Sequence, residues 1–205
     1  MPQQSKFLVI EGCNGVGKST IVEYLKARTG ASAFHYPPQF VDFRREINLD
    51  ASVKPLPRLI YYLAATLHLS DLVCAHLAKG HVICDRYLAS PLSLMIAEAA
   101  IEEAEALRHI KAFESYLRMP DLTLLLRANH AKACARIRDR SRKSGKRTRV
   151  SEKTLESEEF FQKREDTSRR LAMKLGPLVE LDTTHLSARE MCSSAWSLLA
   201  PRLKW

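Results

Sequence analysis

At 205 residues the chain is long enough to bury one substantial hydrophobic core and falls within the size of a single domain, residues 1–205. Its net charge of +9 is concentrated: residues 136–149 hold eight basic side chains against the single acid Asp139, a local net of +7, which leaves +2 elsewhere and argues against a broadly basic face for nucleic acid. Five cysteines, at 13, 74, 84, 134 and 192, form neither C-x-x-C nor a Cys/His cluster, and no continuous run reaches the roughly 18 apolar residues of a membrane span, so the composition fits a reducing cytoplasm without disulfides.

The first element is the apolar run Phe7-Leu8-Val9-Ile10, a short strand buried on both faces. Glu11 follows it, and then Gly12-Cys13-Asn14-Gly15-Val16-Gly17-Lys18-Ser19-Thr20, which fits G-x-x-x-x-G-K-[ST] and leads into a helix from Ser19 to about Arg28. Strand, glycine-rich turn and helix N-terminus together surround nucleotide phosphates with backbone N–H groups. In that arrangement Lys18 reaches the β- and γ-phosphates of ATP, and the Ser19 hydroxyl serves the Mg²⁺ that accompanies them.

A weaker strand at Ala33–Tyr36 is ended by Pro37-Pro38, and helical spacing over Leu56–Lys79 is closed by Gly80. The run Val82–Cys84 is a third strand. It delivers Asp85-Arg86-Tyr87 to the carboxyl end of the sheet, where ligands bind in open α/β folds. A carboxylate there can orient Mg²⁺, and the neighbouring arginine can contact a phosphoryl group in transfer. Helical spacing continues over Ser90–Leu117, Met119-Pro120-Asp121 stops it, and Leu122–Leu126 is a fourth strand.

The helix Ala131–Arg142 carries the basic segment, which Ser144-Gly145 interrupts before the helix Thr154–Leu175. No aromatic residue interleaves it to stack bases, so polyphosphate is its partner: residues 141–153 read as a lid over ATP, with Arg138 and Arg149 directed at phosphates. A last strand at Leu178–Leu181 and a last helix at Ser187–Leu199 complete an alternation of strands and helices. That alternation specifies an α/β fold with a parallel sheet covered on both faces.

The residues Val9-Ile10-Glu11-Gly12 through Thr20, the run Ile83–Ser90, the Pro120-Asp121-Leu122 lead-in to the fourth strand, Phe160-Phe161, and Glu180-Leu181-Asp182-Thr183-Thr184 resemble the thymidylate kinases, a family of P-loop nucleoside-monophosphate kinases, over nearly the whole chain. The resemblance implies a P-loop NTPase fold with three layers and a five-stranded parallel sheet, ATP with Mg²⁺ as donor, dTMP as acceptor, and a homodimer. It assigns catalysis to Lys18, Asp85, Arg86 and the lid residue Arg149, metal binding to Ser19 and Asp85, and acceptor binding to Glu11, Tyr36, Pro37, Gln39, Tyr62, Thr66, Arg86 and Ser90. Departures lie on the acceptor side: Asn14 stands where the family usually has an acid, and Gln39 and Thr66 stand where it has arginines. Arg44, Arg45 and Arg58 are candidate replacements, and each reads equally as an ordinary helix arginine. Tyr61 and Tyr62 read either as core or as a base-stacking wall. Two other functions stay open at this point: a kinase of a nucleoside or another hydroxyl acceptor, with Glu11 as base, and a module that binds ATP without catalysis.

Overall fold

The computed structural model describes residues 4–38, 53–145 and 148–205. Five parallel strands form one sheet in the order β2-β3-β1-β4-β5: β1 (Phe7–Glu11), β2 (Ser32–His35), β3 (Val82–Asp85), β4 (Leu122–Arg127) and β5 (Leu178–Asp182). Each strand lies where an apolar run stands in the sequence, with its ends moved by a residue. The runs are unbroken because both faces of the sheet are covered. Phe7, Val9, Val82 and Cys84 point into one core with Leu59, Leu63 and Leu69 of α2 (Pro55–Leu77), Met95 of α3 (Ala89–Ala97) and Leu171 of α7 (Glu158–Leu175). The alternate residues Leu8, Ile10, Ile83, Leu124 and Leu126 point into the other, with Ile21 and Leu25 of α1 (Lys18–Thr29) and Ala195 and Leu199 of α8 (Ala188–Leu203).

Two long helices expected from spacing are each divided. Residues 90–117 form α3 and α4 (Glu103–Phe113), separated where Ala99 takes a φ of 53°. No glycine or proline marks this break; it lets Ile101 enter the core and turns Glu98 toward the cations described below. The second division is at Ser157, whose extended backbone ends α6 (Arg149–Glu156) while its hydroxyl accepts from the Phe160 N–H as the N-cap of α7. α5 (His130–Ser144) ends on Gly145 in the left-handed conformation.

Helix α2 also differs from the sequence reading, because averaged over a window its length and apolarity suffice to cross a membrane although no unbroken run does. In this fold Leu59, Leu63, Leu69 and Val73 on one side of it are packed against the sheet, as in the core helix of a globular domain.

Strand β1 sits centrally, with β3 and β2 on one side and β4 and β5 on the other, so the crevice at its carboxyl end lies where the direction of winding reverses. Two positions of the loop there have no room for a side chain: a Cβ on Gly12 (φ 134°) would lie 2.4 Å from the Leu126 carbonyl oxygen, and one on Gly15 (φ 85°) 2.4 Å from the Ala133 carbonyl oxygen. Gly15→Ala is therefore expected to abolish nucleotide-induced thermal stabilisation while the far-ultraviolet circular dichroism stays that of the parent. Retained stabilisation by ATP would show that the loop adapts.

Candidate active site

Glu11 ends β1 with its carboxylate turned into the protein, 1% exposed. Its Oε1 accepts from the backbone N–H of Tyr87 at 2.9 Å and of Ser90 at 3.3 Å, and its Oε2 accepts from the Ser90 hydroxyl at 2.5 Å. These bonds anchor the segment after β3 to the end of β1. The chain between them is bent sharply, with Arg86 at a φ of 76° and its N–H bonded to the Ile10 carbonyl at 2.9 Å.

The Arg86 guanidinium consequently reaches back across the phosphate loop. Its Nη1 donates to the Gly12 carbonyl at 3.1 Å and to Ser90 Oγ at 2.8 Å, and its Nη2 donates to Asn14 Oδ1 at 2.6 Å. Lys18 is buried, with its ammonium donating to the Cys13 carbonyl at 2.7 Å. Burial, with the Arg86 charge next in weight, pulls its pKa down to about 7. The thiols of Cys13 and Cys84 are buried and pushed up by that burial, which makes them packing groups.

Asp85 brings the metal-binding chemistry. Its Oδ2 accepts from the Ser19 hydroxyl at 3.2 Å and lies 3.3 Å from His35 Nδ1, while its Oδ1 is buried without a hydrogen-bond partner. Burial pushes this carboxyl up, but the hydrogen bond from His35 and the charges of Lys18 and Arg86 prevail and hold it at about 2. A carboxylate with a spare buried oxygen, beside a hydroxyl, suits Mg²⁺, which takes few protein ligands and completes its shell with phosphate and water. Among the described residues no cluster of three or more His, Cys, Asp and Glu side chains forms a self-contained metal site. His35 went unnoticed in the sequence; its only signal is register, since it pairs with Asp85 across β2 and β3.

Beside the loop opens a cleft of about 600 Å³, lined by Gly15, Gly17, Lys18, Ser19, Thr20 and Met191 and by Lys132, Arg136, Arg140 and Lys143. These four basic residues recur at helical spacing along one stripe of α5. Arg138, expected at the ATP phosphates, is exposed and absent from that lining, because two positions along a helix turn it to another side. Arg136 is not free for phosphate either: it donates to the carbonyls of Gly15, Thr183 and Leu186 and to the Thr183 hydroxyl, fastening the loop to the end of β5.

The acceptor-side residues divide. Tyr36 is buried and donates its hydroxyl to the Tyr62 carbonyl at 2.8 Å; its ring and that of Tyr62 are 6.4 Å apart, and Tyr61 lies 5.7 Å beyond. Tyr62 is half-buried and packs against the core. Pro37, joined to Tyr36 by a cis peptide, is half-buried beside them. Thr66 is only 1% exposed, and its hydroxyl bonds to the Tyr62 carbonyl one turn back in its own helix, which withdraws it from a ligand. Ser90 and Glu11, expected at the acceptor, are engaged with each other and with the chain after β3. Gln39, Arg44 and Arg45 lie outside the described residues.

At the lid, Thr148 caps α6 and Ser151 Oγ accepts from Asn14 Nδ2 at 3.1 Å, so the helix rests directly on the phosphate loop. Ser151 stood beside Arg149 in the sequence without attracting notice. Arg149 Nη2 pairs with Glu98 Oε1 at 2.8 Å; Lys153 Nζ shares that oxygen at 2.8 Å, and Arg58 Nη1 meets Oε2 at 3.0 Å. Arg58 thus shares Glu98 with Arg149 and Lys153. One buried carboxylate ties α2, the end of α3 and the lid helix together.

A family model for thymidylate kinase matches residues 10–189 of this chain. The thymidylate kinase of Psychrobacter sp. (strain PRwf-1) is 30% identical over 149 residues, which cover 66% of this chain and 72% of that one. Among solved structures, the thymidylate kinase of Candida albicans superposes with a TM-score of 0.71 at 18% identity, covering 97% of this chain and 92% of its own. Deoxyadenosine kinase from M. mycoides with bound dATP superposes with a TM-score of 0.68 at 19% identity, covering 94% and 98%. At these identities the two structural likenesses establish the fold alone: a P-loop α/β fold around a five-stranded parallel sheet.

The Glu98 cluster yields a stability prediction. Glu98→Ala leaves Arg58, Arg149 and Lys153 facing one another and is expected to cost about 3 kcal/mol, a melting-temperature fall of roughly 6–12 °C for a domain of this size. Burial alone would raise the Glu98 pKa, but the bond from Lys153 and the charges of Arg149 and Arg58 hold it below the ordinary carboxylate value. The wild-type protein therefore keeps this contribution above that ordinary value and loses it as pH falls through the folded pKa. Thermal melts from neutral to acid pH should show the gap between wild type and Glu98→Ala closing; a constant gap would refute the electrostatic account.

Proposed function

Because the chain belongs to the thymidylate kinase family of ATP-dependent nucleoside-monophosphate kinases, we propose that it transfers the γ-phosphoryl group of ATP to dTMP, giving dTDP and ADP. The observation that carries this reading is the Arg86 guanidinium, bonded at once to the Gly12 carbonyl and to Asn14 of the phosphate loop. It makes the loop and the Asp85-Arg86 segment one site, with a cation between the donor and acceptor positions.

In this reading the loop N–H groups of residues 12–20 and Lys18 hold the donor phosphates, and Arg86 bridges donor and acceptor. Mg²⁺, held by Ser19 and Asp85, supplies charge neutralisation at the donor phosphates. The acceptor phosphate is already largely dianionic at neutral pH, so its oxygen attacks without a general base and alignment dominates the barrier. The bonding of Glu11 agrees: a carboxylate with both oxygens engaged by three donors is a brace, whereas a hydroxyl acceptor would need a free base. Residues 141–153 act as the lid of a single-domain enzyme, and Arg149 exchanges Glu98 for the transferring phosphoryl group when the lid closes. Tyr36, Pro37 and Tyr62 form the wall for the base.

Acceptor-dependent ADP release from ATP–Mg²⁺, measured over a panel of nucleoside monophosphates and nucleosides, tests this directly. dTMP should be preferred; turnover confined to nucleosides would overturn the reading. Lys18→Ala should lower kcat by roughly 10²–10³-fold with the melting transition retained. Loss of the fold instead would make Lys18 a structural residue.

A further inference from the structure

One charged side chain in the site has no role in the scheme above. Arg164, on α7, is 4% exposed, and its Nε and Nη1 are buried without a hydrogen-bond partner among the described residues. Its electrostatic neighbours come from every wall of the reaction centre: Cys13 and Lys18 on the phosphate loop and the start of α1, Glu11 at the end of β1, Arg86 after β3, and Tyr62 on α2. Phe161, one turn earlier on α7, accepts from the Cys13 thiol through its carbonyl at 3.9 Å, which fixes this face of the helix against the loop.

Comparison with the buried Arg58 and the half-buried Arg127 gives this placement its meaning. Arg58 and Arg127 also leave an Nε without a partner, but Arg58 holds Glu98 at 3.0 Å, and Arg127 holds Glu165 at 3.1 Å and Glu180 at 3.6 Å. The acid facing Arg164 is Glu11, and both of its oxygens are committed to Tyr87 and Ser90. Arg164 is therefore a cation held out of water beside two cations of its own sign, Lys18 and Arg86. Such an arrangement opposes folding unless an anion completes it.

Two anions enter this site. The donor's phosphates have the loop N–H groups and Lys18. The acceptor's phosphate has fewer cations waiting for it, since Thr66 bonds within its own helix and Arg58 is engaged by Glu98. Resting on the monophosphate-kinase reading, we propose that Arg164 binds the phosphate of the nucleoside-monophosphate acceptor, reaching it from α7 on the side opposite Arg86. Its unpartnered Nε and Nη1 offer charge-assisted hydrogen bonds to phosphate oxygens.

The experiment uses Arg164→Met and Arg164→Lys in the full-length protein, with dTMP as acceptor probe. The wild-type enzyme is first required to turn over dTMP; if it does not, the monophosphate reading itself fails, and the failure is independent of Arg164. Given turnover, Arg164→Met should raise KM for dTMP at least tenfold with KM for ATP unchanged. Arg164→Lys should recover part of that loss. Nucleotide-free Arg164→Met should melt at or above the wild-type temperature, because an unneutralised buried charge has been removed. A lowered melting temperature with KM for dTMP unchanged would make Arg164 a packing residue. A rise in KM for ATP alone would move it to the donor. Failure of both variants to fold would also overturn the proposal.

Discussion

Everything at the reaction centre hangs on the Glu11 carboxylate. It closes β1, the central strand, and by accepting from Tyr87, from the Ser90 N–H and from the Ser90 hydroxyl it fixes where the chain goes after β3. That path forces Arg86 into a positive φ, which costs on the order of 1–3 kcal/mol and is tolerated because surrounding bonds over-determine it. A longer or uncharged side chain at position 11 would not satisfy three donors at this depth. Asp85, Arg86 and the start of α3 thus share one anchor, which makes their relative positions stiff.

The second theme is charge held in readiness. Lys18 lies close enough to Arg86 and Arg164 for their charges to act on it, and its depression to about 7 records burial together with that repulsion. Preorganised cations of this kind bind a charge-dense ligand without reorganisation at the moment of reaction, and the free protein bears the strain. Asp85 is the counterweight: its own charge is stabilised by His35, Lys18 and Arg86, yet one of its oxygens is left without a hydrogen bond for a cation.

Much of the fold was legible because its signals are local. Unbroken apolar runs mark β1, β3 and β4, shorter and more mixed runs mark β2 and β5, and the spacing of Gly12, Gly15, Gly17 and Lys18 marks the loop. The division of residues 90–117 was not legible, since Ala97 to Glu103 contains no punctuating residue; Ile101 entering the core and Glu98 meeting three cations from two other helices create it, and both are tertiary effects. Ser157 before two acids did carry a capping signal for the second division. Arg138 was misplaced because a basic run tells which residues are charged but not which side of the helix faces the cleft. Arg164 was invisible for the converse reason: within Lys163-Arg164-Glu165-Asp166 a charge reads as solvated surface, and only packing of α7 against the phosphate loop shows otherwise.

The lid connects these themes. Asn14 accepts from Arg86 with its oxygen and donates to Ser151 with its nitrogen, so the phosphate loop, the bridging arginine and the lid helix form one chain of bonds. An acid at position 14 would keep the first bond, and the second would reverse, with the Ser151 hydroxyl as donor. The amide couples α6 to the loop without placing a charge there. On the far side of α6, Glu98 neutralises Arg149 and Lys153 and holds the helix against α2 and α3. In the proposed closure of the lid, an incoming phosphate would compete with Glu98 for Arg149 carrying up to two charges against one. The same carboxylate would retain Arg58 and Lys153 after Arg149 departs, so the lid would hand over its arginine without losing its hold on the rest of the protein.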